Sequence, residues 1–259
     1  MSTFFANKTA WITGASSGIG EALALALARQ GARLVLSARR QTELQRVATA
    51  TGLAPENVLI LPLDVTHEVD LPRYVTAVLA RFGRIDYVFL NAGITQRSLV
   101  QDTNMTVFRQ LMDVNFFGAV ALTQAVLPTM LAQQSGHLVI TSSVSGKIGV
   151  KQRAGYCASK HALHGFFDAL RAEVATNGLA VTLVCPGYIQ TPISQSALNG
   201  TGGAYGRSDQ HQQQGMPAEM CAQRILKAVA AGREEVNIGG KEVLGTYLKR
   251  FFQIGRAHV

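Results

Sequence analysis

Seven short runs of apolar and β-branched residues recur along this chain: 9–15 (TAWITGA), 32–38 (ARLVLSA), 57–65 (NVLILPLDV), 87–93 (YVFLNAG), 136–143 (GHLVITSS), 181–187 (VTLVCPG) and a weaker 235–239 (EVNIG). Their apolarity is continuous rather than alternating, so each strand needs cover on both faces, and the longer segments between them carry helical patterns suited to crossover connections. The pattern predicts an α/β fold in which about seven parallel strands form a doubly wound sheet with helices on both faces. Neither a composition shift nor an internal repeat divides residues 1–259, so a single domain is expected.

The segment 188–216 breaks the alternation. It is polar, glycine-rich and without period, and it directly follows a strand. A loop of that length in a compact domain is either a lid or binding loop, or disordered. In open α/β sheets ligands lie beyond the carboxyl ends of strands, where this segment begins.

Charged residues make up only 15% and apolar ones 47%, which excludes a disordered chain. The net charge of +8 suits an anionic ligand, but no nucleic-acid motif accompanies it. No uninterrupted apolar run reaches about 18 residues, and the N-terminus lacks the basic and cleavable features of a leader. Three cysteines in no metal-ligand spacing read as reduced thiols, so a cytoplasmic location is expected. The C-terminal segment 240–259 is both basic and apolar. It suits a subunit interface or a peripheral membrane contact, although Gly245 and Gly255 interrupt its amphipathicity.

Residues 13–20, TGASSGIG, follow the first strand and open a helix. Gly14, Gly18 and Gly20 permit a tight turn and close backbone approach to a pyrophosphate, and Ser16, Ser17 and Ile19 complete a phosphate cradle at the helix N-terminus. The spacing, G-x-x-x-G-x-G, differs from the general dinucleotide fingerprint, and glycines alone also fit an ordinary turn. TGASSGIG, NAG at 91–93, VNFFG around Asn115, Ser143, YCASK at 156–160 and PG at 186–187 occur in this order. The set resembles the short-chain dehydrogenase/reductase superfamily over essentially the whole chain, which implies a Rossmann-like domain. The stretch from Ser142 to Val174 is most similar to the branch holding 11-beta-hydroxysteroid dehydrogenase type 1 and dehydrogenase/reductase family member 7B.

An acidic side chain about 20 residues beyond the glycines would accept the ribose hydroxyls of NAD. Here Ala38 is followed by Arg39 and Arg40, whose guanidinium forks suit a 2'-phosphate, so NADP(H) is the expected cofactor. The resemblance implies further cofactor contacts at Asp64 and Val65, at Asn91, Ala92 and Gly93, and at Pro186, Gly187, Ile189 and Thr191.

Reduction of a carbonyl requires an acid, a donor to the substrate oxygen and a means of tuning both. Tyr156 and Lys160 stand four residues apart on a helical pattern, which puts them on one face. A tyrosine with a pKa of about 10 is a poor base unless a nearby cation lowers it, and Lys160 is the expected tuner. By resemblance, Lys160 also holds the nicotinamide ribose, Ser143 binds the substrate oxygen and Asn115 supports a proton relay. Ser142 points the other way from Ser143 on a strand. Cys157 lies about 100 degrees around the helix from Tyr156 and Ser159 acts as helix spacing. His161 and His164 lack a third ligand in the sequence, so no metal is expected.

The predicted activity is hydride transfer between NADP(H) and a carbonyl or secondary alcohol. Val144, Gly149, Val150, Gln152 and Tyr188 line the expected substrate pocket, which suits a lipophilic, steroid-like ketone; a 3-oxoacyl thioester is the alternative. A non-catalytic NADPH-binding interaction protein is the rival of another class. The family resemblance implies a homodimer or homotetramer formed through the helices of Asn115 and Tyr156.

Overall fold

The computed structural model describes residues 4–207 and 209–252. In chain order the elements are β1 (Thr9–Thr13), α1 (Gly18–Ala28), β2 (Arg33–Ala38), α2 (Gln41–Thr51), β3 (Val58–Pro62), α3 (Leu71–Phe82) and β4 (Tyr87–Leu90). They continue with α4 (Met105–Met112), α5 (Gly118–Gln133), β5 (Gly136–Thr141), α6 (Ala154–Val174), β6 (Leu179–Pro186) and β7 (Ile189–Gln190). The last are α7 (Gln210–Gln213), β8 (Met216–Pro217), α8 (Ala218–Ala230), β9 (Glu235–Ile238) and α9 (Leu244–Phe252).

All seven predicted runs become strands of one parallel sheet in the order β3-β2-β1-β4-β5-β6-β9. Successive residues feed opposite cores. Ala10 and Ile12 of β1 join Leu34 and Leu36 of β2 beneath α1 and α8, while Trp11 and Val35 face the side covered by α3, α5 and α6. Both cores are closed, which is why the strands read as continuously apolar. Truncating a fully buried side chain such as Leu36 or Phe167 to alanine would cost about 2–5 kcal/mol.

The chain runs outward from β1 through β2 to β3 and then returns to the other side of β1 as β4. This reversal opens a crevice at the carboxyl ends of β1 and β4, the expected ligand position in such sheets.

Two expectations change. The helix expected around Asn115 is interrupted by a π-helical turn at Asp113–Phe117, which separates α4 from α5. Segment 188–216, apart from Ser208, is an organised cover rather than an aperiodic loop: β7 pairs with β8, and the Leu198 amide donates to Thr95 O at 2.8 Å. The Arg97 amide donates to Leu198 O and the Asn104 amide to Gly200 O, each at 2.8 Å.

Among the described residues, only the helix Met105–Gln133 is long and apolar enough to cross a membrane, with a mean hydropathy of 1.5. Its α5 portion packs on α3 and its α4 portion on α6, which ties it into the domain. At the C-terminus α9 runs through Gly245 without interruption, leaving Leu244, Tyr247 and Leu248 exposed. Gly255 and the rest of 253–259 lie outside the described residues.

Candidate active site

The first turn of α1 closes the phosphate cradle. Gly14 and Gly18 take φ values of +65° and +58°, which a side chain would strain, and a Cβ on Gly14 would lie 2.9 Å from Ala92 Cα. A Cβ on Gly20 would run into the Gly14 carbonyl oxygen. Ser17 is the N-cap of α1 but makes no side-chain cap hydrogen bond, so the amides of the first turn, Ile19 among them, suit an anion. Ser16 is buried, and its carbonyl accepts from Arg46 at 3.4 Å. These residues fit a dinucleotide pyrophosphate.

Arg39 and Arg40 follow β2 as exposed side chains, and among the described residues neither guanidinium makes an ion pair. Arg40 is the N-cap of α2. Burial opposes ionisation of Asp64, but hydrogen bonds from the Thr66 amide and hydroxyl, aided by the Arg39 charge, hold its pKa below the ordinary range. Val65 is buried against Gly118, where a Cβ would approach Val65 Cγ2 to 2.7 Å.

The Asn91 side chain has a structural duty that the sequence did not reveal. Its Nδ2 donates to Thr13 O at 3.2 Å and to Gly14 O at 3.4 Å, while its Oδ1 accepts from the Thr141 hydroxyl at 3.2 Å. The Thr13 hydroxyl in turn accepts from the amides of Asn91 and Ala92. These bonds clamp the ends of β1, β4 and β5 together, with Gly93 beside Lys160 and Asn115.

Pro186 and Gly187 end β6, where Glu242 braces them by accepting from the Tyr188 and Gly240 amides, both at 3.0 Å. The Thr191 side chain lies against Gly18 and accepts from Gln212 at 2.9 Å, so it joins the cradle to the cover. Ile189 is buried in β7, whereas Val150 and Tyr188 are half-buried.

Four residues converge at this edge. Tyr156 is 8% exposed and Lys160 3%, on one face of α6 as their spacing required. Lys160 Nζ lies 5.9 Å from the Tyr156 ring centroid and donates to Thr141 O at 2.8 Å. Ser143 Oγ accepts from the Ser145 amide at 3.1 Å and donates to Pro186 O at 3.3 Å. Asn115 is buried, with Nδ2 donating to Ile94 O at 3.0 Å and to Ser159 Oγ at 2.9 Å, and Oδ1 accepting from the Ile94 amide at 2.8 Å. The π turn explains how a polar amide fits within this helix, since the widened turn directs Asn115 to partners outside it.

The electrostatic balance differs from expectation. Burial pushes the Tyr156 phenol above its usual value, opposed by hydrogen bonding with Ser143 and by the charges of Arg153 and Arg97. Burial also lowers the Lys160 pKa to about 8. The charges of Arg153 and Arg97 favour the phenolate in addition to the Lys160 ammonium expected from the sequence.

Further corrections concern neighbours in α6. Ser159 is more than spacing: its hydroxyl accepts from Asn115 and donates to Tyr156 O at 2.9 Å, linking the two catalytic candidates. His164, expected to lack companions, lies with Cys185 and Glu235, their donor atoms all within 4.8 Å of one another. Cys185 Sγ lies 3.7 Å from His164 Nε2 and Glu235 Oε2 3.7 Å from His164 Nδ1, while Glu235 also pairs with Lys147. His161 is exposed and its Nδ1 lies 2.8 Å from Cys157 O. Cys157 is buried, and burial raises its thiol pKa, in keeping with packing rather than nucleophilic chemistry. Ser142 faces away from Ser143 as expected, donating to Lys160 O at 3.1 Å.

Gln96 was missed altogether. Fully buried, its Oε1 accepts from the amides of Gly155 at 2.9 Å and Tyr156 at 3.3 Å, satisfying the open start of α6 and fixing the tyrosine. No local pattern could have shown this, because 59 residues separate Gln96 from Gly155.

Comparison with known proteins agrees with this geometry. A family model described as short chain dehydrogenase matches residues 8–201. A Drosophila melanogaster relative named dehydrogenase/reductase SDR family protein 7-like is 42% identical over 247 residues, covering 94% of this chain and 76% of its own. Dehydrogenase/reductase SDR family member 7B of Danio rerio is 40% identical over 240 residues, covering 90% and 78%. A crystal structure of a short chain dehydrogenase/reductase from Burkholderia phymatum, in complex with NAD, shares the fold with a TM-score of 0.86. It is 24% identical and covers 96% of this chain and 95% of that one. With its cradle, its seven-stranded sheet and its Ser143–Tyr156–Lys160 arrangement in the family's order, this chain belongs to the short-chain dehydrogenase/reductase family, in the branch of members 7 and 7B.

Proposed function

We propose that this chain is an NADP(H)-dependent oxidoreductase that interconverts a carbonyl and a secondary alcohol, with Tyr156 as general acid and base. The convergence of Tyr156, Ser143, Lys160 and Asn115 beside the glycine cradle carries this proposal. Arg39 and Arg40 support NADP(H) over NAD(H), because both guanidinium forks are exposed at the end of β2 and no carboxylate occupies position 38.

The nicotinamide would supply or accept the hydride. Ser143 would donate a hydrogen bond to the substrate oxygen, and Tyr156 would give its phenolic proton to that oxygen as negative charge develops. In the oxidative direction the Tyr156 phenolate, favoured by Ser143, Arg153 and Arg97, would accept the proton of the alcohol. Lys160 of α6 and Asn115 of the π turn would return the proton, since both are buried beside Gly93.

Val107, Leu111, Ile94 and Leu198 pack around Tyr156, which supports a substrate with a lipophilic body. Exposed Phe117 and Leu131 along α5 support assembly into a homodimer or homotetramer. Three free buried thiols support a cytoplasmic location, and the exposed apolar residues of α9 support a peripheral contact there.

Tyr156→Phe tests the proposal. Its turnover with NADPH should fall about a thousandfold, within the usual contribution of general acid–base catalysis, while NADPH binding followed by fluorescence stays unchanged. A variant that keeps most of its activity refutes the tyrosine's role.

A further inference from the structure

We propose that Arg97 and Arg153 form a carboxylate-binding subsite beside Tyr156, held by Asp209 until the acidic group of an oxo-acid substrate takes its place. This rests on the carbonyl chemistry above and names the substrate class.

The three residues come from separate parts of the chain. Arg97 follows β4, Arg153 is the N-cap of α6 three residues before Tyr156, and Asp209 belongs to the cover. The Nη2 atoms of both arginines approach the same oxygen, Asp209 Oδ2, at 2.7 Å from Arg97 and 3.0 Å from Arg153. The three side chains are only 8%, 15% and 19% exposed.

Two cations sharing one carboxylate leave a surplus positive charge in a poorly solvated place, which a second or replacement anion would stabilise. Hydrogen-bonding capacity remains as well. A guanidinium offers five N–H donors; among the described residues Arg97 uses Nη2 and also Nη1, on Gln96 O at 3.1 Å, while Arg153 uses Nη2. The start of α6 adds its positive dipole end to the same region.

Position relative to the reacting group decides what such an anion would be. Arg97 donates to the carbonyl of Gln96, whose side chain accepts from the Tyr156 amide, and Arg153 caps the turn that carries Tyr156, so the pair stands beside the phenol and its charges favour the phenolate. Val107 and Leu111 are buried with Tyr156, and half-buried Ile94 and Leu198 pack against them, so the surroundings of the phenol are apolar. A molecule with a carbonyl at Tyr156, an apolar body and a terminal carboxylate matches all three surfaces. Asp209 already shows that a carboxylate fits the two forks. Its displacement would release the contact between the cover and the two arginines, coupling substrate binding to the hold of the cover on α6.

Calorimetry on the NADPH-loaded protein tests the subsite with benzoate and its neutral isostere benzamide. Benzoate should bind about tenfold more tightly than benzamide, a preference lost in Arg153→Gln and in Arg97→Gln and increased in Asp209→Asn. Equal binding of the two probes, or weaker benzoate binding in Asp209→Asn, would overturn the proposal and leave the triad a structural clamp. Where the protein turns over either compound, an aromatic oxo acid should exceed its methyl ester in kcat/KM by a similar factor, and equal measurable values would also overturn the proposal. Because the binding arm needs no chemistry, a protein that prefers benzoate but reduces neither acid nor ester would refute the oxidoreductase reading and retain the subsite.

Discussion

Two pairs of arginines serve this molecule in opposite ways. Arg39 and Arg40 are adjacent in sequence, exposed at the end of β2, and make no ion pair among the described residues. Arg97 and Arg153 are 56 positions apart in sequence, nearly buried, and both bound to Asp209. Solvated cations cost the fold little and remain available to a polyanion, whereas desolvated ones must be neutralised and so become structural until something competes for them. Lys160 is a third case: the residue is 3% exposed, and among the described residues its ammonium donates only to the Thr141 carbonyl.

Lys160 gives the largest contrast. Its folded pKa of about 8 lies below the usual lysine value of 10.5, so the unfolded chain holds more protons between those values. The buried ammonium therefore destabilises the fold at pH 7, and that penalty fades as pH rises through the window. Lys160→Met should be more stable than the parent by on the order of 1–3 kcal/mol at pH 7, with the advantage vanishing near pH 10.5, as read by urea denaturation at each pH. An advantage that does not change with pH would show that lost packing or lost hydrogen bonding, rather than charge burial, sets the difference.

The exposed pair comes next. Arg39→Ala with Arg40→Ala should weaken NADPH binding about tenfold to a hundredfold and leave NADH binding unchanged, because only the phosphate-bearing cofactor loses charge-assisted hydrogen bonds. Equal losses for both cofactors would assign the pair to general charge attraction.

The smallest effect is on stability without added nucleotide. Arg39→Gln with Arg40→Gln should stay within about 0.5 kcal/mol of the parent, whereas Arg97→Gln or Arg153→Gln should lose about 1–2 kcal/mol and speed proteolysis within 194–213. Equal stability of all these variants would erase the distinction between the pairs.

The sequence made the sheet legible because a strand covered on both faces must be largely apolar, and runs such as VTLVCPG satisfy that within nine residues or fewer. The cradle was legible for a similar reason, since Gly14, Gly18 and Gly20 answer steric demands within one turn. Tyr156 and Lys160 could be paired from helical spacing alone. The π turn at Asn115 was not legible, because its cause is hydrogen bonding to Ile94 and Ser159 across the fold. Ser159 was undervalued for the same reason, and Gln96 and Asp209 carry no local period that would mark them.

By itself, then, the sequence determined what repeats or sits close together along the chain: the parallel sheet, the phosphate turn, the exposed Arg39–Arg40 pair and the Tyr156–Lys160 face. Tertiary structure decided which distant side chains share one desolvated space. There Arg97, Arg153 and Asp209 meet beside Tyr156, and Lys160 is stripped of water. The physical reason is that sterics and periodicity act locally, whereas the energy of a charge depends on the burial and partners supplied by the whole fold.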